Sequence, residues 1–566
     1  MSPAALRTHR VKLAGRRQAS LARARRRLVL AMGAFLCLTL VTTIRLVELG
    51  AGFGANARIS YAAAVDIGQR APIVDRNGAD LARSFQAYFL AVQPRRVVGD
   101  RKELAAGIAD ILGERDPQDL ERLLTRAGNW RYIQRRVQPE DAARLKALGE
   151  PGLIIEREWE RVYPNRTLAA HTLGYANVDG VGQAGLEREL DERLTDPARL
   201  EEPVQLSLDT RVQHALVQAI SRQMDKHSAI GGGGVVLDVR TGEVLALTSQ
   251  PVFDPNAAGA GTADARFNRA TYGVYELGST FKALTMAMAL DSGTVTSMAQ
   301  AYDATKPLKV GRFRIRDSHP ENRWLTVPEI FMHSSNIGTS QIALEIGAER
   351  QKEYLRELGM LERPHIELAE RGRPLYPDTW GEVSTMTISY GHGIAVTPLH
   401  IAAAYAALVN GGIYRDPTLL KVGADEMREG RRVFSQETSD RMRELLRLVV
   451  LEGTGSKADA EGYRVGGKTG TAEKPRAGGY ARKSLVTNFA GVFPIDDPRY
   501  AVIVMLDEPQ GIKETYGFAG AGWTAAPVVK EVVSRIAPIL EVDPDPARDI
   551  DLSALLQHVH DRDAGG

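Results

Sequence analysis

The chain of 566 residues has almost no cysteine: Cys37 is alone, so no intrachain disulfide can form and cysteine usage does not report the redox compartment. Its eleven histidines contain no H-x-x-x-H pair and no cysteine partner, so the usual zinc spacings are missing and no metal or other cofactor is expected. Net charge is small, +2. That value hides an uneven distribution, because residues 1–27 carry Arg7, Arg10, Lys12, Arg16, Arg17, Arg23, Arg25, Arg26 and Arg27 with no acid. The rest of the chain is therefore net acidic, which excludes a globally basic nucleic-acid binder.

The basic arm is followed by the uncharged run LVLAMGAFLCLTLVTTI, Leu28 to Ile44, bounded by Arg27 and Arg45. It sits at the short limit of the roughly 17–25 residues that a spanning helix needs. Flanking cations favour a membrane helix over 28–48, with the arm in the cytoplasm and everything after about residue 49 outside. A cleaved signal peptide, with Ala55-Asn56-Ala57 as cleavage site, is the alternative; the long arm and the distance of that site from the apolar run favour an anchor. Cys37 falls inside the apolar run and reads as a small hydrophobe.

The length implies more than one domain, since single cores stop growing at roughly 250–300 residues. Residues 49–203 mix charged amphipathic helices, at 101–125 and 139–149, with short strands; Asn77-Gly78 marks a hairpin turn. This region reads as an elongated spacer ending near Glu201-Glu202-Pro203. Beyond it VQLSLD reads as a strand, 209–227 as a helix, and GGGGVVLDV with GEVLALTS as a hairpin turning at Thr241-Gly242. A second strand pair, NFAGVFPIDDPRYAVIVML, comes late, with the apolar helix TFKALTMAMALDSG between. Hairpins at both ends with helices between them imply an α+β domain over 204–545, an antiparallel sheet flanked by helices. The acidic, aperiodic residues 546–566 read as a mobile tail.

GYRVGGKTGTAEK, residues 462–474, satisfies G-x-x-x-x-G-K-[ST], the phosphate-binding loop of nucleotide hydrolases, and AVIVMLDE ends in acids that could hold Mg²⁺. The context fails. A phosphate loop needs a strand before it and a helix N-terminus after it, but GTGSKADAE precedes it and Gly470, Pro475 and Gly478-Gly479 follow. As a strand, the segment would point Lys468 and Gly470 one way and Thr469 and Thr471 the other.

Ser279 and Lys282 in YELGSTFKALTMAMAL are three apart at a helix start, on one face. Lysine serves as a base for serine if burial or a nearby cation lowers its pKa. Read alone, Ser279 is an N-cap and Lys282 a solvated side chain. The almost wholly apolar helix that follows argues that this turn enters the core. Likewise Ser334 and Asn336 in FMHSSNIG read alone as a cap. Taken together, S-x-x-K, S-x-N and K-T-G, in that order, form the set used by penicillin-binding proteins and serine β-lactamases.

From the membrane run to about residue 535 the chain resembles a class B penicillin-binding protein. The resemblance rests on VVLDVRTGEVLAL, FNRATYGVYELGSTFK, SSNIG, YGHGIAVTPLH, LEGTGSKA, GGKTGTAEK and AAPVV, and upstream on PIVDRNGADLA and RVYPNRTLAAHTLGYANVDGVGQAGLERELDERL. The upstream wording is closer to the division-specific, septal type than to the elongation type. The resemblance implies a penicillin-binding, serine β-lactamase-like transpeptidase domain on an elongated pedestal. It implies a D,D-transpeptidase that cross-links peptidoglycan stem peptides. Ser279 is then the nucleophile, Lys282 its base, Ser334 a proton relay held by Asn336, and Lys468 the cation that keeps Lys282 neutral. Lys468, Thr469 and Thr471, with Gly470 giving close approach, would meet the donor carboxylate; the N–H groups of Ser279 and Thr471 would form the oxyanion hole. Expected partners are stem peptides, β-lactams, a polytopic septal glycan polymerase and other division proteins, since no glycosyltransferase-sized region precedes the pedestal. The expected location is the bacterial inner membrane, with the catalytic domain periplasmic. Rival readings are an elongation-type enzyme, a carboxypeptidase or β-lactamase, and a non-catalytic β-lactam sensor or scaffold. Leu277 and His392 depart from the family's usual Pro and Gln.

Overall fold

A computed structural model describes residues 25–43 and 68–560, apart from Glu114, Ala127, Asn129, Arg312, Ala424, Asp425, Met427, Ala477 and Gly478. Most of the basic arm, residues 44–67 and the last six positions lie outside the described residues. Helix α1 (Arg25–Thr43) is long and apolar enough to cross a membrane, and none of it is buried within the protein. Its hydroxyls are satisfied inside the helix: Thr42 donates to the Leu38 carbonyl at 2.8 Å and Thr43 to Thr39 at 2.7 Å, as a lipid environment requires.

At Asn77-Gly78, with Gly78 at φ 87°, the chain turns from β1 (Ile73–Val74) into β2 (Asp80–Val92), as the sequence predicts. Tyr88–Glu158 then forms a compact unit of its own. In it α2 (Arg101–Leu112), α3 (Pro117–Thr125), β3 (Arg131–Val137) and α4 (Pro139–Ala147) enclose Ile108, Leu120, Leu124 and Leu145. Asp100 starts α2 by accepting from the N–H groups of Lys102 and Glu103, both at 2.9 Å, and Gly113 ends it at φ 69°.

The second unit comprises Gly68–Ala87 and Trp159–Gly566. Segments 68–87 and 159–203 are built into it by a set of buried charges. Arg70 pairs with Glu187 and Asp191, both at 2.6 Å, and Arg161 with Glu187 at 2.7 Å; Arg70 and Glu187 are fully buried.

Helix α5 (Thr210–His227) precedes the hairpin of β4 (Gly231–Asp238) and β5 (Val244–Gln250). Helices α6 (Phe281–Asp291), α7 (Val327–Met332), α8 (Asn336–Ile346), α9 (Pro398–Val409) and α10 (Gln436–Glu452) follow. Then come β6 (Gly466–Arg476), β7 (Gly479–Phe493), β8 (Tyr500–Asp507) and α11 (Ala526–Ile536). The five strands pair antiparallel in the order β6-β7-β8-β4-β5. Both faces are covered, which explains why β8 reads as an unbroken apolar run. Val502 and Val504 pack with Ile220 and Val529 of α5 and α11, whereas Ala501, Ile503 and Met505 pack with Ala402 and Leu408 of α9. Each such side chain contributes about 1.5–3 kcal/mol when fully buried.

Gly232 and Gly234 of the tetraglycine serve this packing. A Cβ on Gly232 would lie 2.9 Å from Ile220, and one on Gly234 2.8 Å from the same residue, so their bare backbone lets α5 lie against the sheet. The chain end departs from expectation. Residues 549–560 are not a loose tail: Leu552 and Leu555 are buried in the main core, and Asp549 pairs with the buried Arg447. Thr326 donates to the His558 carbonyl at 2.7 Å, and Glu329 of α7 accepts from the His560 N–H at 2.9 Å.

Candidate active site

Ser279 stands in the tight 3-10 turn Gly278–Thr280 that leads straight into α6. This helix buries nearly every residue, Lys282 included, so its first turn does enter the core. The buried Tyr405 hydroxyl of α9 donates to the Thr280 carbonyl at 2.8 Å, and Thr280 Oγ1 donates to the Leu277 carbonyl at 3.0 Å. Ser279 is half-buried, and its hydroxyl makes no hydrogen bond among the described residues.

Ser334 joins α7 to α8 in the left-handed conformation, at φ 61°. Such a position is unfavourable for any residue with a side chain, and strain of this kind collects at functional sites. It turns the hydroxyl toward two lysines. Lys282 Nζ is 3.1 Å from Ser334 Oγ and also donates to the Ser334 carbonyl; Lys468 Nζ is 3.0 Å from the same Oγ. Thus S-x-x-K, S-x-N and K-T-G converge on a single oxygen.

Both lysines are buried. Burial pulls Lys468 down to about 7. Lys282 is pulled well below the usual lysine range by burial first and by the Lys468 charge second, with Asp317 opposing. Both causes favour the neutral form of Lys282. Once neutral, its lone pair can accept a proton from a hydroxyl, while Ser334 Oγ, which has one donor and two acceptor sites, connects it to the Lys468 ammonium.

Lys468 and its neighbours lie on β6, an antiparallel edge strand of the sheet, which removes the phosphate-loop reading. Asp507, the supposed Mg²⁺ ligand, pairs with Lys474. Thr469 Oγ1 is 2.7 Å from Thr454 Oγ1, and the Ala521 N–H donates to Thr471 Oγ1 at 3.0 Å, so these two side chains leave β6 away from the Lys468 Nζ cluster. The nucleophile turn and β6 touch through glycines. A Cβ on Gly278 would lie 2.7 Å from the Thr471 carbonyl oxygen, and one on Gly470 2.2 Å from the Leu277 carbonyl oxygen.

Asn336 is placed differently from the expected support of Ser334. Its Nδ2 donates to the Arg316 carbonyl at 2.9 Å, and the two lysines hold Ser334 instead. Asp317, which no motif signals, fixes this corner: it accepts from the N–H groups of Asn336 (2.6 Å) and Ile337 (3.0 Å) and from the Ser335 hydroxyl (2.7 Å). It satisfies the N-terminus of α8. Leu277 is buried, and His392 is partly buried beside Tyr390, with ring centroids 5.3 Å apart. Burial lowers the His392 pKa and the Glu276 charge opposes the shift.

A cavity of about 480 Å³ continues along β6 past Thr471, lined by Tyr275, Glu276, Tyr376, Glu473 and Pro475 among others. Among the described residues no group of three or more His, Cys, Asp or Glu side chains could hold a metal ion. A half-buried serine three residues from a buried lysine whose neutral form is favoured suits acyl transfer.

The chain is similar to known proteins in sequence and in fold. The penicillin binding protein transpeptidase domain matches residues 232–534, and the penicillin-binding protein dimerisation domain matches residues 66–198. The probable peptidoglycan D,D-transpeptidase FtsI of Caulobacter vibrioides is 40% identical over 512 residues, covering 88% of this chain and 86% of that protein. The peptidoglycan D,D-transpeptidase FtsI of Escherichia coli (strain K12) is 30% identical over 513 residues, covering 84% of each. Penicillin binding protein 3 of Mycobacterium tuberculosis, solved with ampicillin, matches with a TM-score of 0.66 and 26% identity over 85% of this chain and 98% of that one. Sequence, fold and the meeting of three motifs on Ser334 agree that the chain belongs to the penicillin-binding protein transpeptidase family.

Proposed function

We propose that the chain is a membrane-anchored serine D,D-transpeptidase that cross-links peptidoglycan stem peptides at the division septum and is acylated by penicillins at Ser279. The observation that carries this reading is Ser334 Oγ held between Lys468 and Lys282, the latter three residues after Ser279. In the first half-reaction Ser279 Oγ attacks the carbonyl carbon between the two terminal D-alanines, and neutral Lys282 takes the hydroxyl proton. The N–H groups of Ser279 and Thr471 receive the oxyanion. The C–N bond then breaks, and the proton passes from Lys282 through Ser334 to the leaving D-alanine amine. In the second half-reaction an acceptor amine attacks the ester, gives up its proton along the same path, and Ser279 is restored.

Thr469 and Thr471 draw the donor carboxylate toward β6, with the Lys468 charge acting at longer range from the other side of the strand; Gly470 lets the strand approach the nucleophile turn. Asn336 keeps its Oδ1 for the donor amide N–H. The septal assignment rests on the two FtsI relatives. Helix α1, with its basic flank, supports a cytoplasmic N-terminus and a periplasmic catalytic unit. A septal glycan polymerase and other division proteins are the partners that fit this location.

The test uses the full chain in detergent with a fluorescent penicillin, following adduct mass at Ser279 beside Ser279→Ala. A long-lived adduct lost in the variant supports the reading; rapid turnover replaces it with a hydrolase, and no adduct overturns it. In cells, depletion rescued by the parent but leaving filaments with Ser279→Ala supports catalysis at the septum, whereas normal division with Ser279→Ala leaves only a scaffold.

A further inference from the structure

Asn488 belongs to none of the three motifs. It sits on β7 directly opposite Gly470, with its side chain lying across that residue and 1% exposed. Its Nδ2 donates to the Leu277 carbonyl at 2.9 Å and to the Gly470 carbonyl at 3.3 Å. These two acceptors fix the amide's orientation, since a flip would bring Oδ1 against two carbonyl oxygens. The Gly470 carbonyl shares one planar trans peptide with the Thr471 N–H, so holding the oxygen on one side aims the hydrogen to the other. Leu277 ends the segment that turns, through Gly278, into the Ser279 N–H.

One amide thus grips both strands of backbone that supply the proposed oxyanion hole. Gly470 makes this reach possible, because a Cβ there would lie 2.6 Å from Asn488 Oδ1 and 2.7 Å from Nδ2. The arrangement has a cost: Asn488 Oδ1 is buried without a hydrogen-bond partner. An apolar residue would avoid that cost, so the position keeps asparagine for its donor.

We propose that Asn488 is a positioning residue of the acyl-transfer reaction, locking β6 to the nucleophile turn so that the N–H groups of Ser279 and Thr471 converge on one oxygen. This rests on the serine acyl-transfer reading above. A displacement of about 1 Å in such a site costs on the order of 100-fold in rate, and convergence matters only once the oxyanion forms. Removal of the amide therefore acts on the acylation step, k2, and spares the preceding binding constant, Ks.

The experiment is stopped-flow acylation of the full-length protein in detergent by a fluorescent penicillin, with Asn488→Ala, Asn488→Asp and the parent, beside thermal unfolding. Asn488→Ala is expected to lower k2 roughly 10- to 100-fold with Ks changed less than about threefold. Asn488→Asp keeps the volume. Its carboxyl can donate only when protonated, so its k2 relative to the parent is expected to recover toward acid pH. Unchanged k2 in Asn488→Ala, or a fall in Asn488→Asp that is the same at every pH, overturns the proposal. If Asn488→Ala does not fold, the pH dependence of Asn488→Asp decides. A parent protein that is not acylated at Ser279 overturns the acyl-transfer reading itself, which is a separate outcome.

Discussion

Replacing Lys468 with methionine removes one charge from the pair that brackets Ser334 and nearly preserves the volume. The two Nζ atoms lie 3.1 and 3.0 Å from Ser334 Oγ, so they stand no more than about 6 Å apart. At an effective dielectric constant of about 20, two unit charges at that distance repel by roughly 3 kcal/mol, or about two pKa units. Lys468 lowers the Lys282 pKa by this route, added to burial. Burial survives in the variant and repulsion does not, so the Lys282 pKa rises. Acylation needs Lys282 neutral and therefore climbs with pH through that pKa; in Lys468→Met the climb moves alkaline by about two units. In the parent, Lys468 loses its own charge near its pKa of about 7. The parent's k2/Ks therefore falls again at higher pH, and the variant, which starts lower, has no such fall. The assay is k2/Ks for a fluorescent penicillin between roughly pH 5 and 10. A rising limb that stays in place in Lys468→Met would refute the reasoning, because Lys468 would then not be what keeps Lys282 neutral.

Ser334→Gly separates stability from activity: glycine accepts φ 61° without the roughly 1–2 kcal/mol that a side chain costs there. Its thermal midpoint is expected to stay near the parent's while acylation falls about 10²- to 10⁴-fold, the range for losing a proton-transfer group. Gly470→Ala drives a methyl to 2.2 Å from the Leu277 carbonyl oxygen; thermal unfolding is expected to show a loss of roughly 1–3 kcal/mol, and penicillin labelling of Ser279 to disappear. Ending the chain at Arg548 removes buried Leu552 and Leu555 and the Asp549 partner of Arg447. Stability should drop by at least about 3 kcal/mol, from about 1.5–3 per leucine; an unchanged midpoint would mean that the segment adds nothing.

The candidate site residues were legible because their types and spacing are constrained by the proposed reaction. Ser279 and Lys282 need one helical turn between them, and a strand that brings a lysine to a groove needs glycines. The apolar run of β8 was equally plain, since a strand covered on both faces must be apolar throughout. What the sequence hid were contacts between distant segments. Nothing local to Arg70, Arg161 and Glu187 shows that they pair with one another. Asp317 looks like any loop acid until α8 starts beside it. The purpose of Gly231–Gly234 depended on which helix would lie against them. Asn336 was recognised by its motif, yet its present hydrogen bond to Arg316 was not readable from that spacing.

Segment 549–560 also braces the site from two sides. Glu329, buried in the helix that delivers Ser334, is tied to His560, and Arg447, which donates to the Val465 carbonyl just before β6, is tied to Asp549. The same short stretch thus steadies the element that carries Ser334 and the one that carries Lys468, and so couples the two arms that meet at one hydroxyl.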